Sequence, residues 1–329
     1  MPSRFFDRST HSIPLFEEER SRRHHDVPIW KLNIRGFKAG VSHSARLKNV
    51  KCFTQFLGFP RSGHSLIGSI LDAHPQAIIS HELDTMGLVQ KNIPEKNIYG
   101  LIIENSKEFT KNGRYWNGFP YVVPGQPHGQ SNDLKVIGDK KGDLAVRRYR
   151  ANPELLNVMT ELIRAHPKWI LVTRNPLDNI ATMSLRKNRT YDKLRIAAKE
   201  SDTFKKELRK LQQTDDIASR VDDDMISDYS RLCEGITEMS RHISTDSLYH
   251  IVYEDFCANP NEEIKNLCRF LNLDPDSKFI TSSESIIRPG INKSRNKIGW
   301  SSSQRQKVGN LVKTHDFLKM YESDLETDG

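Results

Sequence analysis

Apolar positions along the chain fall into short continuous runs separated by longer stretches with helical spacing. The run at 51–57 reads as a buried strand, and Leu66, Ile67, Ile70 and Leu71 mark a helix over 64–74, stopped by His74-Pro75. Gln76–Ser80 is a second short strand running into His81-Glu82. Residues 84–113 read as helix with a break near Pro94, and Asn152–His166 as an amphipathic helix. Tyr115–Gly129, with three prolines and three glycines, reads as a loop able to cover a pocket. Leu134–Gly138, Lys168–Thr173 and Leu248–Val252 are further strands, and 191–245 suggest two or three charged helices. Asn261–Leu271 places Ile264, Leu267, Cys268 and Leu271 at helical spacing, and Ile291–Arg305 is a basic loop. Residues 1–50 are polar and read as an extended arm before a single domain over 51–325.

Strands alternating with helices predict an α/β fold of three α/β/α layers around a central parallel sheet. Ligands in such sheets bind beyond the carboxyl ends of the strands. Arg61, Glu82, Lys140, Arg174 and Tyr253 each stand just after a predicted strand.

The first of these strand ends carries the most chemistry. Gly58-x-x-x-x-Gly63-His64-Ser65 has the spacing of a phosphate-binding loop, in which backbone N–H groups converge at a helix N-terminus. A nucleotide hydrolase carries Lys where this chain has His64, and the cation here is Arg61, inside the loop. Arg174-Asn175-Pro176 forms a second basic helix start, with Asn175 suited to the cap and Pro176 to the first turn. Thr182 lies two turns further on. Each motif also has an ordinary reading, as a strand-to-helix turn and as a capped helix with a surface Arg. Together they suggest a ligand with two separated anionic groups.

Composition narrows the partners. The 329 residues carry a formal charge of +8, which favours anions, but the Lys and Arg residues are dispersed and no nucleic-acid motif appears. Cys52, Cys233, Cys257 and Cys268 show no paired metal-ligand spacing and read as reduced thiols. The charged N-terminus has no apolar signal core, and no stretch approaches the roughly 18 apolar residues of a membrane span. The expectation is a cytoplasmic protein, or one of the Golgi lumen had an anchor been removed; the sequence is silent on oligomeric state.

These motifs resemble the sulfotransferases that use 3′-phosphoadenosine 5′-phosphosulfate. Pro60-Arg61-Ser62-Gly63-His64-Ser65 is similar to the loop that holds the 5′-phosphosulfate in that family, with His64 in place of the usual Thr. Arg174-Asn175-Pro176-Leu177-Asp178 with Thr182 matches its 3′-phosphate motif, and Tyr253-Glu254-Asp255 the strand end whose Tyr lies by the adenine. Ser294-Arg295-Asn296-Lys297-Ile298-Gly299 resembles the basic loop that closes over the cofactor, through Ser294, Arg295, Lys297 and Gly299. The resemblance covers roughly residues 51–305.

It implies a phosphosulfate donor, adenosine 3′,5′-bisphosphate as product and no metal. It also implies a hydroxyl or amine acceptor, most simply a small molecule, held by 84–130 and 185–245. Lys140 matches the family's Lys at the leaving phosphate. The base His of the cytosolic small-alcohol branch is absent, because its position is Gly142. Glu82, 21 residues after Arg61, matches instead the base of the protein-tyrosine and bacterial branches, with His64 and His81 as competitors. Burial would raise the Glu82 pKa and nearby Arg61 and Lys140 would lower it. Two alternatives stay open: a P-loop kinase, with Asp139 and Ser65 holding a metal, and a non-catalytic nucleotide-binding module.

Overall fold

The computed structural model describes residues 27–116, 119–188, 219–288, 290 and 292–326. Five strands build the central sheet: β1 Cys52–Gly58, β2 Ala77–Ser80, β5 Val136–Asp139, β6 His166–Thr173 and β7 Leu248–Val252, in spatial order β2-β5-β1-β6-β7. Every pairing among them is parallel. A separate antiparallel pair, β3 Tyr115–Trp116 and β4 Phe119–Pro120, lies within the stretch expected to be loop.

The sheet is buried on both faces, which is why its strands read as continuous apolar runs rather than alternating ones. Phe53, Leu57, Ile137, Trp169 and Leu171 belong to one core; Cys52, Phe56, Val136, Ile170 and Val172 belong to the other. Chain neighbours thus point to opposite layers, following the strand's period of two.

The helices used below are α1 Ile29–Ser42, α2 His64–Asp72, α3 Thr85–Gln90, α4 Glu95–Lys111, α5 Gly142–Ala151, α6 Leu155–Leu162, α7 Pro176–Lys187, α8 Asp223–His242, α9 Tyr253–Ala258, α10 Pro260–Leu271 and α11 Ser302–Thr314. The first core takes Met86 of α3, Ile102 of α4, Val146 of α5 and Tyr229 of α8. The second takes Ile67 and Ile70 of α2 and Leu267 of α10. Helices therefore cover both faces, giving the three expected layers. Among the described residues no helix is long and apolar enough to cross a membrane.

Several expectations change. Residues 29–42 are helix rather than an extended arm. Gly36 and Gly40 of α1 meet Gly100 of α4 so closely that a Cβ on Gly100 would lie 2.5 Å from the Gly40 nitrogen. The helix expected over 152–166 is only Leu155–Leu162; Ile163 turns extended, and His166 already pairs with Cys52 in the sheet. Pro167 is tolerated because it stands at the start of its strand. The loop at 291–305 contains a 3-10 turn, Ser294–Lys297, and the start of α11, capped reciprocally by Ser301 and Gln304. Of the expected helices at 191–245, α8 forms and 191–218 lie outside the described residues.

Candidate active site

The loop after β1 turns on three left-handed residues, Gly58 (φ 134°), Arg61 (φ 71°) and Gly63 (φ 102°). Gly63 precedes α2, whose first N–H groups, from His64 and Ser65, have no intrahelical acceptor by position. Glycine is required at 63 for space as well as for φ: a Cβ there would sit 2.2 Å from the Tyr253 ring. Tyr253, the first residue after β7, thus packs directly on the loop. Ser62 is fully buried with its Oγ 3.2 Å from His64 Nδ1. Among the described residues the Arg61 guanidinium makes no hydrogen bond or ion pair, and its Nε is buried.

The second helix start forms as its sequence suggests. Asn175 Oδ1 accepts from the Leu177 and Asp178 amides (3.1 and 3.4 Å), and Pro176 occupies the first turn of α7. Asn179 Nδ2 donates to Pro60 O (2.7 Å), tying α7 to the first loop. Arg174 is 7 % exposed, donates to Thr182 Oγ1 (3.3 Å) and Asn292 O (2.6 Å), and lies 5.8 Å from the Tyr253 ring centre. Among the described residues no carboxylate pairs with it. Thr182 Oγ1 lies 3.1 Å from Ser294 Oγ, and Lys297 reaches the same Asn292 through its side-chain amide. Burial pulls the Lys297 ammonium down to about 8. Arg174, Thr182, Ser294 and Lys297 therefore form one group.

The other two residues expected in the basic loop are engaged elsewhere. Arg295 binds the carboxylate of Asp178, and Gly299 exchanges backbone hydrogen bonds with residues 219 and 221. They fasten the loop to α7 and to the segment before α8.

At the far side of the sheet, Glu82 follows β2 with a left-handed backbone (φ 61°). The turn is fixed by Asp139, which accepts from Ser80 Oγ (2.9 Å), Leu83 N (3.2 Å) and Thr85 N (2.9 Å). Those bonds commit both of its oxygens to holding the turn, which speaks against the kinase-like reading of Asp139 as a metal ligand. Glu82 bridges two lysines: one oxygen meets Lys140 Nζ, the other Lys141 Nζ. His64 Nε2 is 3.8 Å from the first oxygen. Lys140 Nζ also donates to Ser65 Oγ (2.8 Å), and its stem lies against Gly68 of α2.

Burial would raise the Glu82 carboxyl, but Lys140 and Lys141, followed by His64, outweigh it and hold the group well below the ordinary range. Burial lowers the His64 pKa, against the opposing pull of Glu82. His81 is not at the site: it stacks on Phe109 (3.9 Å) and meets Trp116 edge-on, inside the core. Lys141, which the sequence does not mark as a site residue, belongs to the cluster through its ion pair with Glu82.

Five adjacent strand ends thus carry Glu82, Lys140, Arg61, Arg174 and Tyr253. A family model described as "Sulfotransferase family" matches residues 56–277. The chain belongs to the sulfotransferase family. Among solved structures, a sulfotransferase domain of the Synechococcus PCC 7002 olefin synthase is similar at TM-score 0.45 and 14 % identity, covering 81 % of this chain and 94 % of that one. Sulfotransferase STF9 from Mycobacterium avium gives 0.44 at 8 % identity (86 % and 81 % covered), and mouse SULT7A1 complexed with PAP gives 0.36 at 12 % (85 % and 88 %). No curated protein sequence matches. In this sulfotransferase the matched region contains both basic helix starts, the Glu82–lysine cluster and Tyr253.

Proposed function

We propose that the chain transfers a sulfuryl group from 3′-phosphoadenosine 5′-phosphosulfate to a hydroxyl or amine of a small-molecule acceptor. The observation that carries this reading is that two basic helix starts on neighbouring strand ends, at Arg61 and Arg174, carry no carboxylate partner among the described residues. Arg174 is buried and Arg61 half-buried; a desolvated cation without a counter-anion is costly, and a ligand anion at each site relieves that cost. The buried Nε atoms of Arg61 and Arg174, both without a hydrogen-bond partner, fit such a ligand.

Arg61, the His64 and Ser65 amides and Ser65 Oγ would hold the phosphosulfate. Arg174, Thr182, Ser294 and Lys297 would hold the 3′-phosphate, and Tyr253 would flank the adenine. The donor supplies an activated sulfuryl group whose departure leaves a phosphate. Lys140, already at Ser65, is placed to neutralise that phosphate. Glu82 is ionised and takes the acceptor proton as general base. Its two lysines make it a weak base in the free protein, and transfer of Lys140 to an arriving anion removes one of the groups that suppress it.

Calorimetry with adenosine 3′,5′-bisphosphate against adenosine 5′-phosphate tests the reading. The bisphosphate should bind more tightly by at least an order of magnitude, without added metal; equal affinity overturns the assignment of the Arg174 group.

A further inference from the structure

Helix α1 presents an apolar stripe to solvent as well as one to the core. Its underside, Leu32, Gly36, Ala39 and Gly40, is buried against α4. Trp30, Ile34, Phe37 and Val41 are all exposed, Trp30 and Phe37 at 60 %. Their spacing of four, three and four residues places them within roughly 60° of one another at about 100° per residue, a single line along the outer face. Lys31, Arg35 and Lys38 repeat the same spacing one position on and form a parallel, exposed basic row. Lys31 Nζ lies 5.3 Å from the Trp30 ring centre.

From residue 27 to residue 51 there is no Asp or Glu, while Arg46, Lys48 and Lys51 add to the positive charge of the segment. A stripe of aromatic and aliphatic side chains bordered by an acid-free row of Lys and Arg has the make-up of a helix that lies in a lipid–water interface. The helix is 14 residues long, too short to span a bilayer. Its glycine-mediated seat on α4 fixes it to the body, so the apolar line is offered as a rigid surface. A second copy is disfavoured as the occupant, because joining two such faces brings two basic rows together with no carboxylate in the segment to separate them.

We propose that the outer face of α1 docks the protein on the surface of an anionic lipid bilayer. Trp30, Ile34, Phe37 and Val41 enter the interface, and Lys31, Arg35 and Lys38 meet the headgroup charge.

The test is co-sedimentation of the full chain with phosphatidylcholine vesicles, with and without phosphatidylserine. The chain should pellet with the anionic vesicles and be released by salt. K31E/R35E/K38E should weaken that binding at least about a hundredfold, since each basic residue near an anionic surface contributes about fivefold. W30A/F37A should weaken it more than about tenfold. Both variants leave the buried underside intact, and an unchanged unfolding temperature confirms the fold. Equal recovery in the supernatant with either vesicle overturns the proposal. So does a dimer in sedimentation equilibrium that W30A/F37A converts to monomer, which gives the face to a second copy. Retention on immobilised polyglutamate without vesicle binding also overturns it, in favour of an acidic protein partner.

Discussion

Arg295 is held to Asp178 twice: its backbone N–H donates to Oδ1 at 2.8 Å and its guanidinium Nη2 to Oδ2 at 2.9 Å, with Asp178 fully buried. The basic loop is therefore clamped to the helix start that carries Arg174. Asp178→Ala takes the nearer carboxylate from a buried guanidinium and leaves it Asp324, at 3.8 Å. It should cost up to about 3–5 kcal/mol in stability and loosen the Ser294–Lys297 turn. Denaturant unfolding checks the first effect, and bisphosphate affinity at a temperature where the variant is folded checks the second.

Arg174→Ala should weaken binding of adenosine 3′,5′-bisphosphate by one to two powers of ten, because a charge-assisted contact to phosphate contributes roughly 1.5–3 kcal/mol. Affinity for adenosine 5′-phosphate should hardly change. Titrating both ligands against both proteins separates loss of the 3′-site from general damage.

Glu82→Gln should lower turnover by roughly 10²–10⁴-fold with bisphosphate affinity little changed, as expected for loss of a general base. Lys141→Ala tests how that base is tuned. Removing one of the two lysines that hold the carboxyl down lets its pKa rise. Since the ionised form is the active one, the acid-side loss of kcat/KM should then begin at a higher pH than in the parent. A pH–rate profile with an unmoved acid limb would refute the role of Lys141.

Lys297, drawn down to about 8 by burial, gives the 3′-site its own pH dependence. A phosphate favours the ammonium form, so bisphosphate binding should be level below about pH 8. Above it, binding should weaken by up to about tenfold per pH unit, with proton uptake on binding. Calorimetry in buffers of different ionisation enthalpy measures that uptake. Lys297→Met should bind more weakly and lose this limb of the profile.

The strand ends were legible because a doubly covered parallel sheet writes its strands as apolar runs, and the residue after each run is then placed without further information. The caps at Asn175 and Pro176 were legible for the same local reason. Lys141 was not: adjacent lysines look alike in sequence, and only the left-handed turn at Glu82 brings its second oxygen to the second lysine. That second lysine adds to Lys140 in holding the Glu82 carboxyl down. Helix α1 was missed because its two apolar lines are interleaved with basic residues, so that neither average polarity nor a single stripe marks it. Arg295 was assigned by the likeness of its basic loop to the family's, and nothing in the sequence pairs it with a carboxylate 117 positions away.

Neighbouring strands lie about 4.8 Å apart, so the row Glu82, Lys140, Arg61, Arg174 and Tyr253 is a ruler about 19 Å long. Its divisions are set by backbone hydrogen bonds, not by side-chain rotamers. Substitutions can remove a mark from this ruler but cannot respace it. The proposed proton acceptor stands at one end and the proposed base-stacking Tyr253 at the other, with the cations between them. On the proposed reading an acceptor molecule would approach along the β2 edge while the nucleotide lay toward β7, and the two would not compete for the same entrance.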